Sequence, residues 1–143
     1  MDSSYYQMHH FITESTWSGR KLIDQVAKEV NFLLPKGKLT GLIIDESGWV
    51  KKGNKSVGVG HQYCGNVGKL SNSQVAVFAA LNNGDFSSMV DARLFLPEDW
   101  CADSKRCDEA GIPASERTFK TKLQIAYEIV EHQSNQIDFD FLI

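Results

Sequence analysis

An aspartate, Asp45, ends an apolar run that begins at Leu39 and is followed by a turn-forming Ser47-Gly48 pair. A short apolar run bounded by turn signals predicts a buried strand, here residues 39–45. An acid at the end of such a strand lies at the rim of the sheet, where open α/β sheets bind their ligands. Asp45 is therefore predicted either to cap a turn or to bind a metal ion, and the second alternative predicts a nuclease-like enzyme.

The metal alternative has a defined chemistry. Two-metal nucleases bring acids from separate elements together to hold ions about 3.5–4 Å apart, which activate water and stabilise the leaving oxygen. Hard oxygen ligands suit Mg²⁺. A phosphotransferase of the haloacid-dehalogenase type would require an acid where this chain has Ser47. A receiver domain would require a parallel α/β chain from the start, which the predicted antiparallel strands disfavour.

Composition sets the broad class of the protein. The chain has 143 residues, 42% hydrophobic and 23% charged, which is typical of one globular domain. No apolar run approaches the length of a membrane span, and the N-terminus lacks the features of a signal peptide, so we expect no membrane association and a cytoplasmic location. The spacing of Cys64, Cys101 and Cys107 predicts reduced thiols and no disulfide or zinc framework.

Charge is unevenly distributed along the chain. The formal net charge is −3, yet residues 47–84 contain no acid and include Lys51, Lys52, Lys55 and Lys69. A chain with segregated charge can present a basic face despite a negative total. These lysines either contact phosphates or keep a hairpin solvated, and the sequence leaves both interpretations open. The same ambiguity applies to Lys120 and Lys122, at the start of a predicted helix.

The pattern of elements predicts an α/β fold. Residues 1–11 lack a clear period and are interpreted as a partly buried arm or as the tail of a helix. Helices are predicted at 18–34 and 119–133, and strands at 39–45, 56–63, 74–81, 88–96 and 139–143. The second and third strands are predicted to be antiparallel neighbours. The helix crossover into the last strand predicts a mixed sheet in which that strand is parallel to an earlier one.

Side-chain environments are also predicted from the pattern. Alternation along 56–63 places His61 and Tyr63 on the packed face with the valines, and Cys64 is interpreted as a small buried residue. Trp49 and Trp100 are interpreted as core residues, with base stacking as the alternative. In the second helix the apolar stripe is predicted to be Leu123, Ala126, Tyr127 and Val130, with Ile125 and Ile129 beside it.

A longer motif makes the nuclease interpretation specific. The string IIDESGWVKKGNKSVGVGHQYCGNVGKLSNSQVAVF, residues 43–78, resembles the start of the catalytic domain of insertion-sequence transposases with an Asp-Asp-Glu site. Residues 93–97, Trp100 and residues 119–122 also resemble that pattern, and the match runs from about Phe11 to Ile143. Each piece alone is weak, but the combination is highly specific.

The resemblance implies a ribonuclease-H-like mixed sheet with antiparallel first strands and a helix crossover, here truncated. Residues 1–38 would be an N-terminal arm and helix, and residues 39–143 the N-terminal half of the catalytic domain. Asp45 would be the first catalytic aspartate and one of three metal ligands. The second acid would follow the strand at 139–143, and the glutamate would come later still. Because adjacent strand residues face opposite sides, Glu46 is expected to point away from the metal.

The resemblance also implies a cofactor and partners. Mg²⁺, with Mn²⁺ as a substitute, would serve the intact enzyme, which would act on transposon ends and target DNA. Full-length transposase is a further expected partner. The candidate DNA contacts are Lys51, Lys52, Lys55, Lys120 and Lys122.

Two other interpretations stay open. The chain could be a non-catalytic remnant or a short protein that binds DNA or transposase and interferes with the full enzyme. It could also be an unrelated binding module in which Asp45 only caps a turn. In every case, apolar surface left uncovered by missing elements predicts aggregation or dependence on a partner.

Overall fold

A computed structural model describes residues 3–143, so residues 1 and 2 of the predicted arm lie outside the described residues. Two helices come first, α1 (Ser3–Glu14) and α2 (Gly19–Leu33). The helical alternative for residues 1–11 is therefore closer to the structure, and the expected partial burial is wrong, since residues 4–11 are exposed. The helix predicted at residues 18–34 is confirmed as α2. It begins where it does because the Ser18 side chain accepts a hydrogen bond from the Lys21 backbone N–H and caps the helix.

The sheet has five strands: β1 (Gly41–Val50), β2 (Gly60–Cys64), β3 (Lys69–Asn82), β4 (Ser87–Leu94) and β5 (Phe141–Leu142). The order β2-β3-β1-β5 runs across it, and β4 pairs with β3 beyond the end of β2. β1, β2 and β4 are antiparallel to β3, whereas β5 is parallel to β1. This confirms the predicted mixed sheet with antiparallel first strands and a parallel last strand after a helix.

Between β4 and β5 the chain forms α3 (Glu98–Ala102), α4 (Ser104–Glu109) and α5 (Lys122–Ser134). Short 3₁₀ turns lie at Gly65–Val67 and Ala114–Glu116. α5 begins three residues later than predicted, because Thr121 and Gln124 form a reciprocal capping box at that point. The predicted division of the chain after residue 38 stays a prediction.

The predicted turn at Ser47-Gly48 is wrong, because β1 continues for five residues beyond Asp45. A side chain at position 48 would place its Cβ 2.9 Å from Cys64 Sγ, so the glycine allows β2 to pack closely against β1. β2 in turn starts later than predicted, since Gly58 adopts a φ of 73° that interrupts an extended strand.

The main core lies between α2, α5 and one face of the sheet. Its buried members are Ala27, Leu42, Val77, Ala79, Leu81, Val90, Ile125, Ile129 and Ile137. α5 faces this core with Ile125, Ile129 and Gln133. The predicted stripe is wrong at Leu123 and Tyr127, which are 83% and 67% exposed. The predicted stripe with Leu123 and Tyr127 and the buried stripe with Ile125 and Ile129 both recur at helical spacing. Periodicity alone therefore does not decide which of the two packs on the sheet.

A buried carboxylate joins three elements on this same side of the sheet. Asp91 of β4 accepts hydrogen bonds from Arg20 Nη1 of α2 at 2.7 Å and from Gln133 Nε2 of α5 at 3.0 Å. A β-bulge shifts the β3–β4 register between Ala79 and Ala80, and both Val90 and Asp91 are buried beside it. The network therefore fixes α2 and α5 on the sheet by paired charge as well as by apolar contact.

The network extends to the surface through Asp24. This carboxylate pairs with Arg20 and accepts contacts from His132 Nε2 at 2.9 Å and Gln136 Nε2 at 3.3 Å. Burial raises the pKa of Asp24, but the hydrogen bonds from His132 and Gln136 and the charge of Arg20 outweigh it, and the net pKa lies below the ordinary value.

Within residues 3–143, no helix combines the length and apolar character required to cross a membrane.

Candidate metal and nucleic-acid site

The strand register assigns each side chain of β1 to one of two faces. Leu42 and Glu46 lie on the face that packs against α2 and α5, which we call the helix face. Asp45 lies on the other, together with Ile43, Trp49, Phe78 and Ala80, and we call this the aspartate face. The prediction that Glu46 points away from the side of Asp45 is thus confirmed.

Asp45 is an exposed carboxylate in the middle of a regular strand. Its Oδ1 accepts a hydrogen bond from the Glu46 backbone N–H at 2.8 Å, and it forms no ion pair with the described residues. The predicted positions at the strand end and at a turn cap are both wrong, because β1 pairs with β3 from Gly41 to Val50. The carboxylate is instead presented from a rigid, doubly paired strand.

The C-terminal strand lies directly beside this position. Ile143 donates its N–H to the Leu42 carbonyl at 3.0 Å, and Ile44 donates its N–H to the Ile143 carbonyl at 2.8 Å. The parallel pairing therefore ends one residue before Asp45. Gly41 permits this approach, since a Cβ there would lie 2.5 Å from the Phe141 ring.

The donor chemistry at Asp45 fits a hard divalent cation, but the described residues do not complete a site. One Asp45 oxygen carries a single backbone hydrogen bond, and a carboxylate of this kind is a typical Mg²⁺ ligand. Across residues 3–143, no three His, Cys, Asp or Glu side chains converge on a position that could hold a metal ion. Within these residues Asp45 is therefore an isolated carboxylate.

The segment between β1 and β2, residues 51–59, contains three lysines, and we call it the lysine loop. Asn72 Nδ2 donates to the Lys51 and Gly53 carbonyls at 2.8 and 2.9 Å, and Gln74 Nε2 donates to the Val57 carbonyl at 2.6 Å. The register places both amide side chains on the aspartate face, so they hold the loop to β3 at Lys51, Gly53 and Val57.

Lys51 lies on this side of the sheet, since its backbone still pairs with Asn72, and Lys55 lines a cavity with Trp100 and Arg106. Lys52 and Lys55 are exposed and Lys51 is half-buried. None of the three forms an ion pair with residues 3–143, and the nearest acid downstream in sequence is Asp85. Their charges are thus available to an anionic ligand.

Lys120 and Lys122 lie in a different environment, on the helix face. Lys122 Nζ lies 2.7 Å from Glu46 Oε2, and Lys120 Nζ lies 2.8 Å from Glu128 Oε1. Lys122 therefore lies beside Glu46, the residue that follows Asp45 in the chain, and its charge is paired with the Glu46 carboxylate. Lys122 thus holds α5 to β1, and Lys120 holds the segment before α5 to Glu128 of that helix. Both lysines are paired with acids, unlike the lysines of the lysine loop.

Three aromatic residues differ from expectation. His61 is exposed and Tyr63 is 52% exposed, because β2 lies at the edge of the sheet and packs through Cys64 instead. Trp49 is 45% exposed, so the prediction of a core position is wrong there. For Trp100 it is confirmed: the residue is 1% exposed, and its indole N–H donates to the Val59 carbonyl at 2.8 Å. Cys64 is buried, as predicted.

Sequence reasoning missed a cleft of about 540 Å³ on the helix face. Its charged lining residues are Arg20, Arg93, Lys120, Glu116 and Glu128. Arg20 Nη2 and Arg93 Nε are buried there without a hydrogen-bond partner. The cations are balanced by the two glutamates and by the buried Asp91, so the cleft has no excess positive charge for a phosphate.

Comparisons with known proteins agree with this geometry. Residues 1–141 match the family described as DDE superfamily endonuclease. A 70-residue segment is 46% identical to a probable transposase for insertion sequence element IS701 from Microchaete diplosiphon, covering 49% of this chain and 18% of that protein. No solved structure matches the chain. With the first acid of the motif on the central strand of a mixed sheet, and a family match that spans nearly its full length, the chain belongs to the DDE superfamily endonucleases.

Proposed function

We propose that this chain carries the first catalytic aspartate, Asp45, of a metal-dependent DNA transposase. The observation that carries the proposal is the exposed carboxylate of Asp45 in the middle of β1, beside the end of the parallel strand β5. A second acid on or after a neighbouring parallel strand would be close enough to share a metal ion with it. The matched transposase supports DNA as the substrate class.

DDE superfamily endonucleases generally use divalent metal ions. We propose Mg²⁺, with Mn²⁺ as a substitute, and Asp45 as the ligand that residues 3–143 provide. When bound, the metal supplies charge stabilisation and lowers the pKa of the attacking water or DNA hydroxyl. The remaining carboxylates would come from outside the described residues.

The protein's own contribution is to fix the carboxylate and attract the substrate. Pairing of β1 with both β3 and β5 holds the backbone of Asp45 rigidly, and the Glu46 N–H orients one carboxylate oxygen. Lys51, Lys52 and Lys55 would contact DNA phosphates, which gives affinity without sequence preference. We do not include Lys120 and Lys122 among the main contacts, because their ion pairs already use their charge.

A metal titration tests the role of Asp45. Mn²⁺ broadens the NMR signals of nearby amides, and we expect broadening at residues 43–47 and near Phe78 in the native chain but not in Asp45→Asn. Glu46→Gln is the matched control, because it removes a neighbouring carboxylate on the opposite face. Equal broadening in the native chain and in Asp45→Asn would remove the proposed ligand.

Electrophoretic mobility of duplex DNA at several salt concentrations tests the lysines. Replacing Lys51, Lys52 and Lys55 by glutamine should weaken binding and reduce the salt slope by roughly 0.9 for each phosphate that is no longer neutralised. The control replaces three exposed lysines of the α2 region, Lys21, Lys28 and Lys36. An equal effect of the two triple variants would mean that binding depends on net charge alone.

A second candidate function is a non-catalytic protein that binds DNA or a full-length transposase and interferes with it. The observation in its favour is that the described residues do not assemble three metal ligands. The two candidates differ in one measurement. If metal-dependent strand cleavage is absent and native and Asp45→Asn chains inhibit a complete transposase equally, the interfering role replaces the catalytic one.

For either role we place the protein in the cytoplasm, where DNA is present and its free cysteines stay reduced.

A further inference from the structure

We propose that Trp49 is a base-stacking residue that holds an unpaired base of the DNA strand bound at Asp45. The inference deepens the proposed function and rests on it, because it requires that DNA lies on the aspartate face. It assigns a binding role to a residue that the metal site does not use, and it identifies the ligand as a single-stranded segment rather than an intact duplex.

The first argument is the exposure and support of the ring. Trp49 is 45% exposed although it lies within a paired strand. Its ring meets Phe78 edge to face, with centroids 5.6 Å apart and planes at 73°. Such a contact holds one side of an aromatic ring in place and leaves other surfaces of the ring free. Phe78 is also the cross-strand partner of Asp45, so one residue supports the ring beside the carboxylate.

The second argument is the position of the ring relative to Asp45. The two residues are four apart on the same strand and the same face, which corresponds to roughly 13 Å along an extended backbone. A single DNA strand whose phosphate lies at Asp45 can reach Trp49 with a nearby base. Lys51 follows two residues later on the same strand path, where its backbone N–H still pairs with the Asn72 carbonyl at 2.9 Å.

The third argument is charge, which favours an anionic ligand such as a nucleic-acid strand. Trp49 lies between Asp45 and the lysine loop, within the segment 47–84 that contains lysines and no acid. Proteins that bind single-stranded nucleic acid combine a positive groove with aromatic rings on which bases stack. Here Trp49 and Lys51 lie on one face of the sheet.

The test measures binding of a single-stranded oligonucleotide that contains 2-aminopurine, whose fluorescence is quenched when it stacks. Trp49→Leu should weaken binding by on the order of ten-fold and abolish the quenching. Trp49→Phe should retain part of both. Trp17→Leu is the matched control, because Trp17 is 48% exposed but lies before α2, away from the sheet.

The possible failures separate cleanly. If the native chain binds no oligonucleotide, the proposed function fails together with this inference. If it binds, and Trp49→Leu and Trp49→Phe bind and quench as well as the native chain does, only the stacking role is overturned. If the Trp49 variants instead change the sedimentation coefficient and leave DNA binding intact, a second copy of the chain covers the ring and the inference is wrong. Unchanged urea midpoints exclude unfolding as the cause of any weakened binding.

Discussion

The two faces of the sheet use the same strands for opposite purposes. On the helix face, Asp91 is buried and accepts hydrogen bonds from Arg20 and Gln133. On the aspartate face, Asp45 and Trp49 are exposed and make few contacts with the described residues. A carboxylate that is saturated with hydrogen bonds stabilises the fold, whereas one with free oxygens is available to a ligand. Asp91 and Asp45 therefore differ as a carboxylate used by the fold differs from one that is open to a ligand.

Replacing Asp91 and Asp45 in turn should give the largest difference in stability between the two faces. We expect Asp91→Ala to lower the free energy of unfolding by about 3–5 kcal/mol, because it leaves the partly buried Arg20 and Arg93 without their shared carboxylate. Asp45→Ala should change it by less than about 0.5 kcal/mol, as for other exposed sites. Urea denaturation measures both values. Similar decreases in the two variants would mean that Asp45 has a structural role.

The two apolar stripes of α5 offer a second contrast. Ile129 is fully buried on the helix face, and Ile129→Ala should cost roughly 2–5 kcal/mol of unfolding free energy. Leu123→Ala, on the 83% exposed stripe, should cost less than about 0.5 kcal/mol. A large destabilisation by Leu123→Ala at high protein concentration only, measured by repeating the titration at several concentrations, would show that a partner covers this stripe.

The sequence predicts some of these features and misses others for identifiable reasons. The mixed sheet and α5 follow from apolar periodicity, and Asp45 is identified by the motif that surrounds it. The buried network does not follow, because Arg20 and Asp91 are 71 residues apart and Asp91 reads as an ordinary polar position in a strand. The exposure of Trp49 and the extended path of Ser47-Gly48 depend on which neighbours pack on β1, and local pattern carries no information about them.

Lowering the pH should weaken the hydrogen-bond network of the helix face at Asp24, its most exposed acid. The lowered pKa of Asp24 means that its ionised form is favoured in the folded chain, so it contributes stability above its ordinary pKa of 3.8. That contribution disappears as the pH falls through the lower folded-state value. The difference in urea midpoint between the native chain and Asp24→Asn should therefore shrink as the pH is lowered from 6 towards 3. A constant difference would show that Asp24 contributes through packing and not through charge.

The smallest expected effect concerns the ion pair between Lys122 and Glu46, the residue that follows Asp45 in the chain. Lys122 Nζ lies 2.7 Å from Glu46 Oε2, and the side chains are 28% and 37% exposed. Exposed ion pairs contribute about 0–1 kcal/mol, so a double-mutant cycle with Lys122→Met and Glu46→Gln should give a coupling energy below about 1 kcal/mol that decreases with added salt. If DNA binding instead draws Lys122 away from Glu46, Glu46→Gln should strengthen DNA binding while Lys122→Met weakens it. Unchanged DNA affinity in both variants would confine Lys122 to a structural role and leave the lysine loop as the source of phosphate contacts.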